Sequence, residues 1–204
     1  VNSSGVIAAD VSGVGTARDI LAATSYGGDK AIFGYGNSSS YTSLTNLVSN
    51  SGVVSADVSG VGTARRALTA AKYGTDKAIF GYGYTGSASS LTNLVSNVGV
   101  VAADVTGVGT ARYGLAAASY GTDKVIFGYG STGSSVSLTN LASNTGVVAT
   151  DVTGVGTARF YLAACGYGTD KAIFAYGVVD DDSDLSLSNL VSSSGVVATD
   201  TTGV

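Results

Sequence analysis

Four arginines stand in fixed register, Arg18, Arg65, Arg112 and Arg159, each with an aspartate eight residues upstream at Asp10, Asp57, Asp104 and Asp151. A guanidinium presents five donors in a planar fork and holds a carboxylate or another anion bidentately. Two chemistries follow: a ring of sites for an anion or acidic sugar, or a structural clamp in which each arginine satisfies carbonyls and an aspartate of the fold itself. The matching aspartate favours the clamp. Tyrosines recur as regularly, at Tyr26, Tyr35, Tyr73, Tyr82, Tyr120, Tyr129, Tyr167 and Tyr176. A ring that carries a hydroxyl suits sugar stacking, and Tyr35, Tyr82, Tyr129 and Tyr176 are the candidates to face a ligand. Packing between repeated units is the favoured role, because the many Gly and Ala residues leave space that such rings fill.

The residue types that are missing remove whole reaction classes. The chain has no His, Glu, Pro, Met or Trp. Without His there is no Ser-His-Asp or Cys-His nucleophile and no imidazole switch. The single thiol, Cys165, makes neither an internal disulfide nor a multi-cysteine zinc site, and reads as a small buried side chain. The run Asp180-Asp181-Asp182-Ser183-Asp184 has the oxygen ligands that calcium prefers but lacks the EF-hand glycine and glutamate. It reads as a solvated acidic loop. Glycine-rich turns such as Gly13-Val14-Gly15 lack the lysine and the strand-to-helix setting of a phosphate loop. The expectation is an enzyme of no kind, with no catalytic residue, cofactor or metal.

Charge and hydropathy narrow the partners. Only 12% of residues are charged and the net charge is −4, with Lys and Arg dispersed, so no nucleic-acid partner is expected. No apolar run reaches the 18 residues of a membrane-spanning helix, and no membrane insertion is expected. A chain without methionine that opens and closes in the middle of a repeat is expected to be part of a longer array.

The elements that position these residues come from a repeat. Gly-Thr-Ala-Arg begins at Gly15, Gly62, Gly109 and Gly156, 47 residues apart each time. The fourth copy lengthens by two residues, in the loop Val178–Asp184. Counted from the N-terminus the units are 5–51, 52–98, 99–145 and 146–194, with a duplicated terminal strand 195–204, all in one array over 1–204. In the third copy, 99–105 is β-branched, 111–120 is small and apolar, 124–130 is apolar and aromatic, and 137–143 alternates. Turn residues separate them, Asp123-Lys124 among them. Each unit of about 47 residues therefore reads as four short strands, an all-β repeat protein of propeller blades. The alanine-rich stretch 111–118 also suits a helix, but its Gly114 and β-branched flanks favour a strand.

Ala111-Arg112, Ala116-Ala117-Ala118-Ser119-Tyr120-Gly121 and Lys124-Val125-Ile126-Phe127-Gly128, with their equivalents in all four copies, resemble the kelch-type propeller repeat. Phe-Gly-Tyr-Gly stands where that family has adjacent glycines, and its tryptophan is absent. The resemblance implies blade geometry and no particular activity. The repeats are also similar in style to those of predicted bacteriophage tail-fibre and appendage proteins. The function expected is that of a non-catalytic structural protein of a virion or an extracellular appendage. The partner expected is the chain itself, head to tail or in a larger ring or filament. The alternative is a lectin-like module binding surface glycans through several weak sites.

Overall fold

The computed structural model describes residues 6, 7 and 9–203; residues 1–5, 8 and 204, within the duplicated terminal segments, lie outside the described residues. Among the described residues all regular structure is β. Strands β1 (Ala22–Tyr26), β2 (Lys30–Gly34) and β3 (Thr45–Val48) form the first sheet. β4 (Thr69–Tyr73), β5 (Lys77–Tyr84) and β6 (Ala88–Val95) form the second, and β7 (Ala116–Tyr120), β8 (Lys124–Gly128) and β9 (Thr139–Ala142) the third. β10 (Ala163–Tyr167), β11 (Lys171–Ala175) and β12 (Ser188–Val191) form the fourth. Each sheet is antiparallel and in chain order, so one repeat builds one sheet.

The alanine-rich run is strand where it packs. β7 alternates buried and half-buried positions, the period of a pleated ribbon with one covered face. Its hairpin to β8 pairs Tyr120 with Lys124 and leaves three residues to turn. The first of them, Gly121, has φ +57°, a left-handed value that costs glycine nothing.

The fourth strand of each unit is broken. Residues 53–58 return along β3, but the pairing consists of isolated bridges, Val48 with Val54 and Thr45 with Val58. The side chain of Asn46 explains the gap: its Nδ2 donates to Ser55 O at 3.1 Å, taking a carbonyl that a continuous ladder would use. The same substitution recurs at Asn93, Asn140 and Asn189. The segment also belongs to the sheet before it in sequence. Val101 and Val105 bridge to Val95 and Thr92 of the second sheet, so 99–105 does not join the strands that follow it.

Neighbouring sheets pack face to face in the order first, second, third, fourth, and approach most closely along β1, β4, β7 and β10. Close approach follows from side-chain size. Phe80 lies over Gly34, where a Cβ would sit 2.6 Å from the ring tip; Phe127 lies over Gly81 and Phe174 over Gly128 in the same way. Phe80, Phe127 and Phe174 are fully buried by this contact. Along the inner edge Ala67 N donates to Ile20 O, Gly114 N to Ala67 O and Tyr161 N to Gly114 O, at 3.1, 2.9 and 2.6 Å. All four of these residues hold positive φ, between 49° and 63°. For a β-branched residue such as Ile20 that conformation is strained, and the ladder between units holds it.

Candidate functional site

The recurrent polar residues meet at the junction between one unit and the next. Arg65 is fully buried. Its Nε donates to Tyr82 O at 2.8 Å, Nη1 to Thr63 O at 3.0 Å and Nη2 to Asn93 Oδ1 at 2.6 Å. Asp104 Oδ1 stands 3.9 Å from Nη1 and also accepts from Asn93 Nδ2 at 2.9 Å. Thr63 closes the loop, its N and Oγ1 donating to Asp104 Oδ2 at 3.0 and 2.7 Å. A buried guanidinium is costly unless its donors are used, and here all three nitrogens are used. Arg112 repeats the arrangement with Tyr129, Thr110, Asn140 and Asp151. Arg159 repeats it with Tyr176, Thr157 and Asn189, and Asn189 in turn holds Asp200.

The outer face of each guanidinium is covered by the preceding unit. The Arg65 carbon lies 4.3 Å above the ring centre of Tyr35, Arg112 4.4 Å above Tyr82 and Arg159 4.1 Å above Tyr129. Tyr35 meets Phe80 edge-on at 5.1 Å, and its hydroxyl donates to Val61 O at 3.1 Å. Backbone bonds reinforce the joint, Gly36 N to Arg65 O at 2.9 Å and Gly27 N to Asp76 O at 2.7 Å. Tyr35, Tyr82 and Tyr129 are fully buried and show no face to solvent; Tyr176 is 62% exposed. Three of the four candidate ligand-facing rings are thus packing groups. Tyr26, Tyr73 and Tyr120 are buried beside them.

The electrostatics follow from burial and bonding. Loss of water pushes the Tyr35 and Tyr82 hydroxyls up to about 12, against the pull of Arg65 and Arg112. Burial also lowers the Arg65 and Arg112 guanidinium values. Asp57 is held below the usual carboxylate value by the hydrogen bonds of Thr16 and Asn46. Burial works to raise Asp104, Asp151 and Asp200, and the bonds from their threonine and asparagine outweigh it, so these too lie low.

The clamp residues are therefore brought together, with different partners from the nearest in sequence. Arg18 stands 3.6 Å from Asp57, and Arg65 and Arg112 pair with Asp104 and Asp151, not with the aspartates eight residues upstream. Asp10 is exposed and takes no part in a clamp. Asp200 serves the fourth unit and was not among the sequence candidates. The asparagines at 46, 93, 140 and 189 and the threonines of Gly-Thr-Ala-Arg also escaped notice, although both recur in every copy.

Other candidates have local roles. Asp29, Asp76 and Asp123 pair with the next lysine at 3.1 to 3.3 Å in exposed hairpin turns. Asp180 Oδ1 accepts from Ser135 N and Oγ at 2.7 and 2.6 Å, tying the long acidic loop to the third unit. No group of three or more metal-ligating side chains is assembled among the described residues. Cys165 is exposed, contrary to its reading as a buried side chain. Ala71 and Ala118, its equivalents, are covered by the following sheet, and the described residues place none over β10. Apolar grooves of about 170 and 210 Å³ recur at equivalent places on the rim, lined by Leu94, Val105 and Val147 and by Leu141, Val152 and Val196. Their aliphatic walls offer few of the polar groups that a sugar requires. No family model matches the chain, and no curated protein matches it in sequence.

Proposed function

We propose that this chain is a non-catalytic structural module, a fan of kelch-like propeller blades that forms part of a rigid virion fibre or other extracellular appendage. The observation that carries the reading is the fate of the recurrent polar groups. Arg65, Arg112 and Arg159 spend every nitrogen on the fold, and stack one flat face on a tyrosine of the neighbouring unit. The tyrosines that recur beside them, Tyr35, Tyr82 and Tyr129, are likewise buried in the joints. Close approach at the first strand of every sheet supports the blade comparison, since a propeller blade lies nearest its neighbour at the innermost strand. Each sheet packs on the next, so rigidity accumulates along the array.

The reading is tested by combining a glycan array with protease challenge. A structural module resists digestion at its junctions and binds no glycan. Binding that is lost together with Tyr176 and kept by an Arg112 variant would replace it with the lectin-like reading.

A further inference from the structure

A strict repeat makes its own departures legible. In each sheet the hairpin between the first two strands lies at one end. The connection to the third strand lies at the other, beside the residue that precedes the first strand. The hairpin end is nearly constant, Tyr-Gly-Thr-Asp-Lys in three copies and Tyr-Gly-Gly-Asp-Lys in the first. At the opposite end the equivalent residues Asp19, Arg66, Tyr113 and Phe160 all differ. So do Asn37, Tyr84, Ser131 and Val178, which bridge to them. A residue that every junction uses is the same in every copy, and these residues are free of that constraint. They have gathered aromatic rings. Eight of the twelve tyrosines keep the 47-residue register, and the other four, Tyr41, Tyr84, Tyr113 and Tyr161, all lie at this end. Arg66, the one arginine outside the register, stands among them.

The rings meet across units. Tyr84 contacts Tyr41 at 6.2 Å and Tyr113 at 5.2 Å, edge to face, and the Arg66 guanidinium lies 5.4 and 5.6 Å from the centres of Tyr41 and Tyr84. Arg66, Tyr84 and Tyr113 are half-buried in the second and third units, each of which has a neighbour on both sides. Among the described residues no guanidinium covers Tyr113. Charge is sorted between the same two ends. All five lysines stand at or beside the hairpins. Asp19 and the acidic loop 180–184 stand at the tyrosine end, where Asp180 holds Ser135, which bridges through Ser131 to Tyr113.

We propose that this end is a docking surface for an arginine-bearing basic segment of another protein, with a guanidinium stacked on Tyr113 and Tyr84 inside a rim of carboxylates. Arg66 shows the mode: its planar, weakly hydrated group already lies over the neighbouring pair of rings. Tyrosine is among the residue types that carry binding energy at protein interfaces, and opposite charge at the rim steers the partner in. The inference does not rest on the structural reading above, since an array of blades carries such a face whatever it builds.

Fluorescence anisotropy with a labelled octa-arginine peptide and the 204-residue chain tests this. The unaltered chain binds the peptide, and more weakly as salt rises. Tyr113→Ser, which changes no charge, weakens binding about tenfold or more. Asp19→Asn combined with Asp182→Asn weakens it too, whereas Asp76→Asn, at the hairpin end, leaves it unchanged. Arg66→Ser tightens binding, because it bares the second pair of rings and removes a like charge. Unchanged melting curves verify that the variants fold; where Tyr113→Ser melts early, Arg66→Ser decides, and binding that it leaves equal or weaker overturns the proposal. No binding by the unaltered chain, binding indifferent to Tyr113→Ser, or an equal loss with Asp76→Asn would also overturn it and leave the junctions standing. A neutral glycan held through Tyr113 by a chain that ignores the peptide would overturn it in favour of a sugar site.

Discussion

At the scale of single residues, the junction arginine is irreplaceable because it satisfies three acceptors from one plane. Arg112→Met keeps volume but strands Tyr129 O, Thr110 O and Asn140 Oδ1, and is expected to cost about 3 kcal/mol in chemical denaturation. Arg112→Lys should recover little, since one ammonium cannot span three acceptors in a plane and stack on Tyr82. A lysine variant as stable as the parent would refute the clamp. The titrating groups predict the pH response. The aspartates at 57, 104, 151 and 200 are depressed in the fold. Their stabilisation is complete above the unfolded-state value near 4 and lost as pH falls through the lower folded value. Tyr35 and Tyr82 are raised to about 12, so their stabilisation is complete below about pH 10 and lost as pH climbs toward 12. The melting temperature should fall at both extremes. A melting temperature unchanged from pH 7 down to pH 2 would show that the carboxylates do not support the junction.

At the scale of elements, glycine at the sheet faces permits stacking. Gly81→Ala would drive a Cβ into Phe127 and is expected to cost about 1–3 kcal/mol, whereas Gly13→Ala, with nothing nearby, should change stability by less than about 0.5 kcal/mol. Equal effects in thermal melts would mean that the sheets do not pack as closely as described. Much of this level was legible in the sequence. Alternation and turn residues marked the strands of β7, β8 and β9, and the 47-residue period marked one sheet per repeat. What was not legible has a definite cause. In a strict repeat, an aspartate eight residues upstream and one 39 residues downstream are the same position modulo the period, so spacing cannot choose Arg112's partner. Only the three-dimensional path of the segment after β9 brings Asp151 to it. The inner ladder was hidden for another reason. Its left-handed positions hold Ile20, Ala67, Gly114 and Tyr161, and only the glycine advertises that conformation.

At the scale of the whole molecule, the junctions are the source of cohesion. Sheets of three short strands cannot bury both faces alone, so each depends on its neighbours, as in other repeat proteins. The most direct measurement is native-state hydrogen exchange on the amides that cross between units. Gly36, Gly83 and Gly130 donate to Arg65 O, Arg112 O and Arg159 O, and Gly27, Gly74 and Gly121 donate to Asp76 O, Asp123 O and Asp170 O. If the units form one array, the amides of Gly83 and Gly74, in the middle of it, exchange as slowly as those within β5 and β8. If they exchange within seconds while the sheet amides remain protected, the units are independent and the junctions do not hold the molecule together.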